Sequence, residues 1–374
     1  MRPTLADWQR PEHIGWSYRH IRELIPTARV AGAAVPSPLP RRLPAAELPG
    51  VAELMRTGFT DGLLVLQDGE VVLEEYGRGM QPDDTHLLQS VSKSITGTLA
   101  GVLVERGALV PDDPVVRHVP ELAGSSFEGA SVRDLLDMRA GTRFDETYDD
   151  PASDVRASEA LFGWAPTAPP AADALAYLAG LGNSRPHGGR FEYRSILTDV
   201  LALVLERAGG ASFAELLGRE LWGPMGAEHD AEVTVDRHGF AVADGGICVT
   251  LRDLARFGRM VLDDGVVDGR SVVPPWWIAD TLRGAGDSAA AFAADEHAAE
   301  MPGGHYRNQW WVPAGGGVLL GLGIHGQFLH VDRGARVVVA KLSTWPTPLD
   351  AEQRAATIAA FEAIATRLST GDTP

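Results

Sequence analysis

The residues best suited to chemistry lie at the start of one predicted helix. Ser90 and Lys93 are three positions apart, so a helix places both side chains on one face. A serine hydroxyl is a weak nucleophile until a base takes its proton. A lysine can act as that base once its pKa falls from about 10.4 towards neutrality, through desolvation or nearby cations. The spacing favours such a pair, and the alternative is a capping serine beside a surface lysine.

Lysine is rare in this chain. Lys93 and Lys341 are the two lysines among 33 basic residues, and the others are arginine. Arginine keeps its proton in proteins, whereas a buried lysine can lose it. The pattern favours a lysine kept at position 93 for proton transfer, and codon bias explains it equally well. Lys341 falls in an apolar stretch and is interpreted as a snorkelling or edge residue.

Patterns for other mechanisms are missing from the sequence. No Gly-x-Ser-x-Gly elbow occurs, and the 11 histidines include no His-x-x-x-His pair, so a metal hydrolase is not expected. The single cysteine, Cys248, permits no intramolecular disulfide and is interpreted as buried and inert. Residues 321–326 match Gly-x-Gly-x-x-Gly, but a strand rather than a helix follows, so no cofactor is expected.

Composition and net charge argue against two classes of binding partner, nucleic acids and membranes. The formal net charge of −17 argues against nucleic acid and anionic membrane surfaces, which require clustered Lys and Arg. No apolar run approaches the roughly 18 residues of a membrane span, and the N-terminal residues lack a secretion signal. We therefore expect a cytoplasmic enzyme acting on a small molecule.

Strand patterns occur at both ends of the chain and helix patterns in the middle. Asp68-Gly69 predicts a hairpin between Gly62–Gln67 and Val71–Tyr76. Further strands are predicted between 309 and 342, before a closing helix at Ala351–Leu368. Residues 111–243 read as short helices, with Ser131 and Ser195 as expected N-caps. The Ala- and Gly-rich stretch 284–300 is interpreted as a surface loop.

These patterns predict an α/β (α+β) fold. One antiparallel sheet would be built from both chain ends and flanked by helices. We expect residues 1–105 and 246–374 to form a discontinuous α/β domain. Residues 106–245 would form an inserted, mainly helical domain, with the active site between the two.

Several motifs resemble one known enzyme group. Ser90-x-x-Lys93, Tyr193 at the start of a later helix and the glycine-rich strand near the C-terminus resemble the penicillin-recognising serine hydrolases. That group includes serine β-lactamases, DD-peptidases and related esterases. Longer stretches at 86–94, 148–153, 163–164, 309–311 and 323–327 are similar to its nylon-oligomer hydrolases. The resemblance runs from about Trp8 to the C-terminal helix and implies a β-lactamase-like fold.

The resemblance also implies catalytic roles. Ser90 would be the acylated nucleophile and Lys93 its base. Tyr193 would relay protons between Lys93 and the leaving amine. The backbone N–H groups of Ser90 and Ile324 would form the oxyanion hole.

Substrate contacts are implied in the same way. Tyr148 would hydrogen-bond the leaving amide nitrogen, and Trp164 would line the pocket. Glu159 aligns with a position beside a free ammonium of the substrate, and Asp244 would add to that negative potential. The other acids between 145 and 159 are interpreted as a solvated loop.

Two departures from the group bear on the substrate. Ser195 replaces the Asn of the usual Tyr-x-Asn motif, and Gly321-Leu322-Gly323 replaces Lys-Thr-Gly. Both changes disfavour β-lactams. The resemblance then implies cleavage of linear amides of 6-aminohexanoate oligomers, with carboxylesterase activity alongside. The alternatives are an esterase acting on short acyl esters and an inactive binding protein. The resemblance also suggests, without fixing it, a homodimer.

Overall fold

The computed structural model describes residues 2–42, 47–166 and 173–370. The strands are β1 (Thr27–Val30), β2 (Thr60–Gln67), β3 (Glu70–Tyr76), β4 (His86–Leu87), β5 (Ala231–Thr234), β6 (Ile247–Val249), β7 (Val266–Val267), β8 (Arg270–Ser271), β9 (His305–Arg307), β10 (Trp310–Val312), β11 (Val318–Gly323), β12 (Gln327–Asp332) and β13 (Val337–Ser343).

The α-helices are α1 (Ile14–Ser17), α2 (Val51–Thr57), α3 (Val91–Glu105), α4 (Val115–His118), α5 (Val132–Leu136), α6 (Asp154–Leu161), α7 (Ala174–Ala179), α8 (Ile196–Gly209), α9 (Phe213–Leu217), α10 (Leu251–Leu262), α11 (Pro275–Arg283), α12 (Ser288–Phe292) and α13 (Ala351–Ser369). Short 3-10 turns occur at Ile21–Glu23, Pro120–Leu122, Glu296–Ala299 and Ile324–Gly326, and a π-turn at Gly218–Trp222. No helix of the described ranges is long and apolar enough to cross a membrane.

A seven-stranded antiparallel sheet forms the centre of the molecule. Its order is β3-β2-β13-β12-β11-β10-β9, so strands from both chain ends meet where β2 pairs with β13. The β2–β3 hairpin turns at Asp68 and Gly69, which have φ values of 52° and 80°. Such left-handed pairs suit two-residue hairpins. The predicted fold class is confirmed.

A second, smaller sheet places the start of α3. Its order is β1-β5-β6-β4, and β4 leads within two residues to Ser90. Residues 106–245 contain helices α4 to α9, as expected, and also β5, which pairs with β1 from the N-terminal part. The division into domains at 105 and 245 stays a prediction.

Three local expectations need correction. The stretch 284–300 contains α12 and a 3-10 turn, and Phe292 is buried against Phe191, so it is not a simple surface loop. Lys341 lies in the central strand β13 and is fully buried, because its neighbours on that face are covered by α2 and α13. Ser195 precedes α8 but makes no side-chain cap, whereas Ser131 forms the expected capping box with Asp134.

Helix α3 is buried for most of its length. All residues from Val91 to Leu103 are inaccessible to solvent, because the helix lies between the large sheet and the helical region. Two glycines permit this close packing. A Cβ at Gly97 would lie 2.2 Å from the backbone oxygen of Asn308, and one at Gly101 would lie 2.5 Å from the Trp277 ring.

We predict that Gly97→Ala destabilises the protein. Helix propensity alone would favour alanine by about 1 kcal/mol. Overpacking against a rigid carbonyl costs about 1–3 kcal/mol more than the unstrained helix, and we expect the net loss to lower the melting temperature. Thermal unfolding of Gly182→Ala is the matched control, since nothing lies within 4 Å of its added Cβ. A Gly97→Ala melting temperature equal to or above that of the parent would contradict the packing argument.

Candidate active site

Ser90 and Lys93 meet as the spacing predicts. Ser90 is the N-cap of α3, and Nζ of Lys93 lies 2.9 Å from its Oγ. The helix N-terminus points its positive dipole end at this hydroxyl, which favours developing negative charge there.

Three segments supply acceptors to the Lys93 ammonium. Besides Ser90, Nζ donates to Ser195 Oγ at 3.0 Å and to the backbone oxygen of Asp244 at 2.9 Å. The Asp244 carboxylate lies 3.5 Å away. Since Lys93 is only 1% exposed, these contacts replace the water that its charge loses on burial.

The substrate-free protein does not meet the condition that base catalysis places on the pKa of Lys93. Burial by itself would lower the pKa of Lys93. The Tyr193 phenol and the carboxylates of Asp244 and Glu146 outweigh that effect, and the pKa rises above its ordinary value. Anions rather than cations surround the amine, so Lys93 is held as an ammonium.

Tyr193 completes the central group. Its ring centroid lies 5.2 Å from Lys93 Nζ, and its ring stacks on Trp311 at 5.3 Å. Burial raises the pKa of the Tyr193 phenol, against the lowering effect of the Lys93 charge. Both proton carriers are therefore protonated at neutral pH in this state.

Glu146 holds Ser195 and Tyr148 together. Its carboxylate accepts hydrogen bonds from the backbone N–H of Ser195 at 2.9 Å, from the Ser195 hydroxyl and from the Tyr148 hydroxyl at 2.7 Å. The Ser195 hydroxyl thus accepts a hydrogen bond from Lys93 and donates one to Glu146. Because both of its hydrogen-bonding functions are occupied, it does not cap α8. Glu146 is not part of a solvated loop.

The peptides proposed for the oxyanion hole are held in unusual conformations. Gln89, just before Ser90, has φ 48°, and His325, just after Ile324, has φ 58°. Non-glycine residues at such angles cost about 1–3 kcal/mol and persist only where the surroundings impose them. Gly323 allows the end of β11 to approach closely, since a Cβ there would lie 2.7 Å from the Leu88 oxygen.

Tyr18 contacts both of these strained segments. Its hydroxyl accepts a hydrogen bond from Gln89 Nε2 at 2.6 Å, and its backbone oxygen accepts one from Leu87 N–H at 2.9 Å. Its ring lies 5.7 Å from the ring of His325, edge to face. The residue is fully buried, so the N-terminal segment supports the site from behind.

Two cavities adjoin at Ser90. The larger has a volume of about 600 Å³ and is also lined by Tyr148, Tyr193 and Ile324. The smaller, about 20 Å³, shares Ser90, Tyr148 and Ile324 and is closed by the remaining predicted residues, Glu159, Trp164 and Asp244. Its volume is that of one water molecule or ammonium group. The structure therefore brings all the sequence-predicted residues together.

The smaller cavity is lined by acidic side chains, and a nearby arginine offsets part of their negative charge. Glu159 is paired with Arg156 at 2.6 Å, and burial raises the pKa of its carboxyl. Asp199 accepts a hydrogen bond from the Asp244 backbone N–H at 3.1 Å. Burial, followed by the nearby Asp244 charge, raises the Asp199 pKa well above its usual value. Protonation of Asp199 is thus favoured over its ordinary state.

The larger cavity extends beyond the predicted residues. His297 lies 5.9 Å from the Tyr193 ring and 5.1 Å from the Trp311 ring, measured between centroids. Arg354 and Ile358 of α13 form another part of the wall. The cavity is therefore bounded by elements from distant parts of the sequence.

Comparison with known proteins agrees with this geometry. The beta-lactamase family model matches residues 41–363. The chain belongs to the beta-lactamase family. A 6-aminohexanoate-dimer hydrolase of Paenarthrobacter ureafaciens is 42% identical over 354 residues, covering 92% of this chain and 89% of that protein. The chain is accordingly an enzyme of the hydrolase class.

Solved structures share the family fold. A protein of Bacillus anthracis, provisionally named a 6-aminohexanoate-dimer hydrolase, superposes with a TM-score of 0.88 at 24% identity, covering 99% of this chain and 98% of that one. A family VIII carboxylesterase gives a TM-score of 0.65 at 16% identity, covering 88% and 99% of the two chains. At these identities the superpositions establish the fold alone.

Four residues at this beta-lactamase-family site were not singled out from the sequence. They are Tyr18, Glu146, Asp199 and His297. A helical or strand pattern gives no signal for any of them, because each reaches the site from a different segment. Glu146 had one usable signal, its position two residues before Tyr148 in the acidic stretch.

We predict that Tyr18→Phe lowers kcat without unfolding the protein. The substitution removes the acceptor of the buried Gln89 amide, and an unsatisfied buried group costs about 1–3 kcal/mol. We expect a roughly tenfold loss of kcat on an amide or ester substrate if that strain reaches the Ser90 peptide. Tyr76→Phe is the matched control, since its hydroxyl contacts Glu74 on β3, outside both cavities. Unchanged kcat in Tyr18→Phe would remove Tyr18 from the support of the site.

Proposed function

We propose that this enzyme hydrolyses linear amides through an acyl-Ser90 intermediate and prefers an acyl group that carries a free ammonium. The observation that carries the proposal is the 2.9 Å contact of Ser90 Oγ with a buried Lys93 at the junction of two cavities. A nucleophile, a proton carrier, a substrate-sized cavity of about 600 Å³ and a small acidic cavity are then present together.

The reaction proceeds in two stages. Ser90 Oγ attacks the amide carbon, and the hydroxyl proton passes to Lys93. The backbone N–H groups of Ser90 and Ile324 stabilise the oxyanion, a contribution of roughly 3–4 kcal/mol per donor. Tyr193 then delivers its phenolic proton to the leaving nitrogen as the C–N bond breaks and takes the Ser90 proton back from Lys93. Tyr148 orients the leaving nitrogen. Water afterwards cleaves the acyl–Ser90 ester and releases the acid.

The charge balance of the site supports an ammonium-bearing substrate. Three acidic side chains, Glu159, Asp199 and Asp244, line the smaller cavity, and two cations pair with them: Arg156 with Glu159 and Lys93 with Asp244. Acidic side chains therefore outnumber the paired cations around this cavity. The smaller cavity, which Glu159 and Asp244 line, has the volume of one ammonium group.

Binding of a substrate ammonium would also change the pKa of Lys93. The negative charge of Asp244 contributes to the raised pKa of Lys93. A second cation near that carboxylate opposes protonation of Lys93, because like charges disfavour the charged form. Substrate binding thereby lowers the pKa of Lys93, the direction that transfer of the Ser90 proton to this residue requires.

The substrate class follows from the relative and the site together. The 42% identical protein is named for the 6-aminohexanoate dimer, whose acyl half ends in an amine. We therefore propose linear 6-aminohexanoate oligomers as substrates, with Trp164 lining the cavity that takes the amine. Short acyl esters are a second substrate class, because the same acyl-serine chemistry applies and an alcohol leaves more readily than an amine.

The first test is covalent labelling of the full-length enzyme. Intact-mass measurement after treatment with a fluorophosphonate should show one added group, which Ser90→Ala abolishes. Ser90→Ala and Lys93→Ala should each lower kcat on the linear dimer by at least a thousandfold, since both act in one proton-transfer unit. Absence of labelling in the parent enzyme would favour an inactive binding protein. Substantial residual kcat in either variant would refute its assignment.

The second test separates recognition of the amine from chemistry. Glu159→Gln should lower kcat/KM on the linear 6-aminohexanoate dimer about tenfold, equivalent to about 1.4 kcal/mol, and leave a neutral p-nitrophenyl ester unaffected. Glu121→Gln is the matched control, since Glu121 pairs with Arg207 outside both cavities. Equal losses on both substrates would exclude the electrostatic role.

A further inference from the structure

The chain's second lysine occupies a costly position. Lys341 lies on the face of β13 covered by α2 and α13, among Leu63, Phe328 and Phe361, and is 0% exposed. Among the described residues it has no ion-pair partner within 4 Å, and the Asp61 carboxylate acts on it from a longer distance. A buried ammonium without a counter-ion is less stable than a hydrophobic side chain of similar volume. Packing alone therefore does not account for a lysine here.

The Lys341 ammonium contacts the segment that carries the Ile324 N–H. Nζ donates to Ser343 Oγ and, at 3.5 Å, to the backbone oxygen of Gly326. Gly326 belongs to the turn Ile324–Gly326, whose middle residue is in the left-handed conformation. The ammonium thus holds the carbonyl side of this turn.

Gln327 joins the same turn to β13 beside the lysine. Its Nε2 donates to the His325 oxygen at 3.0 Å and to the Ser343 oxygen at 2.6 Å. Its Oε1 accepts a hydrogen bond from the Ser343 N–H at 3.1 Å. Ser343 is therefore shared by Gln327 and Lys341.

Two aromatic rings lie between Lys341 and the larger cavity. Nζ lies 5.5 Å from the ring centroid of Phe328 and 5.2 Å from that of Trp345. The same two residues line the larger cavity. The charge is shielded from solvent and lies behind one wall of that cavity, where the low dielectric preserves its field.

We propose that Lys341 is a positioning residue for the oxyanion hole. Its ammonium fixes the turn Ile324–Gly326 through Gly326 and Ser343, and its positive charge favours the oxyanion bound at the Ile324 N–H. This role rests on the proposed acyl-serine mechanism and adds to it a residue outside both cavities.

The charge of Lys341 responds to pH in the working range. Burial lowers the pKa of Lys341 to about 7, against an opposing effect of the Asp61 carboxylate from β2. His325 on the turn and His330 on β12 have pKa values lowered by burial to about 4, so both are neutral above pH 5. The neighbours on α2 and α13 are apolar residues such as Leu54 and Phe361. Lys341 is therefore charged below about pH 7 and neutral above it.

The test is Lys341→Met, which keeps the unbranched stem and removes the charge. We expect kcat on a p-nitrophenyl ester to fall about tenfold at pH 6, with KM little changed, because a displaced or weakened oxyanion donor acts on the transition state. The ratio of parent to variant kcat should shrink towards about two at pH 9, where the parent lysine is neutral. A ratio that stays constant from pH 6 to pH 9 would overturn the proposal.

Stability provides an independent measurement. A lysine with a lowered pKa binds fewer protons in the folded than in the unfolded state between about pH 7 and 10.5. It therefore destabilises the fold most at low pH, and the penalty fades as pH rises. Lys341→Met should melt at the same or a higher temperature than the parent at pH 6. Slower turnover in a variant that is no less stable excludes a merely structural role, and lower stability with lower kcat would count against the proposal.

Ser343→Ala tests the same contact with the charge kept. Losing a hydrogen bond to the charged form lowers the Lys341 pKa further, so the alkaline decline of kcat should move to lower pH. A pH profile of kcat that does not move would oppose the role of Ser343.

Fluorophosphonate labelling of the parent enzyme separates the proposed mechanism from the proposed role of Lys341, because failure to label Ser90 rejects the mechanism itself. Labelling with a constant parent-to-variant ratio rejects the role of Lys341 alone.

Discussion

The burial of one ammonium, that of Lys93, constrains the arrangement of this site more than any other interaction. A charge that is cut off from water must be surrounded by acceptors, and its partners come from three distant parts of the chain: Ser90, Ser195 and Asp244. Helix α3, the start of α8 and the segment before β6 must therefore converge at one point. Ser90, the Ser195 hydroxyl and the acidic cavity are held together by the requirement that this amine be solvated by protein.

The placement of acceptors around the Lys93 ammonium has a chemical consequence. Acceptors strong enough to stabilise a buried ammonium also oppose its loss of a proton, so the raised pKa of Lys93 follows from the same contacts. Under the proposed function, the ammonium of Lys93 is stabilised in the empty site and loses part of that stabilisation when a cationic substrate competes for Asp244. Recognition of charge and activation of Ser90 are then two effects of one electrostatic balance, which resembles coupling between two bound cations more than a fixed catalytic base.

Much of the fold and the central pair could be predicted because local patterns encode them. The Asp68-Gly69 hairpin, the Ser131 capping box and the spacing of Ser90 and Lys93 each depend on residues close in sequence. Glu146 and Tyr18 could not be found in this way, since their roles depend on which distant segments meet. The raised pKa of Lys93 could not be predicted because it depends on carboxylates from distant segments, and Lys341 was misplaced because strand order is not a local property.

The pairing of β2 with β13 bears on how the enzyme is made. Residues 60–67 hydrogen-bond to residues 337–343, and the Ile324 turn lies between those strands in sequence. A growing chain therefore exposes the apolar face of α3 and one edge of β2 until nearly all of it has been synthesised. Catalytic competence appears only after the last strands arrive, so shortened chains are expected to be inactive and prone to aggregate. The long separation in sequence thus ties completion of the site to the arrival of the C-terminal strands.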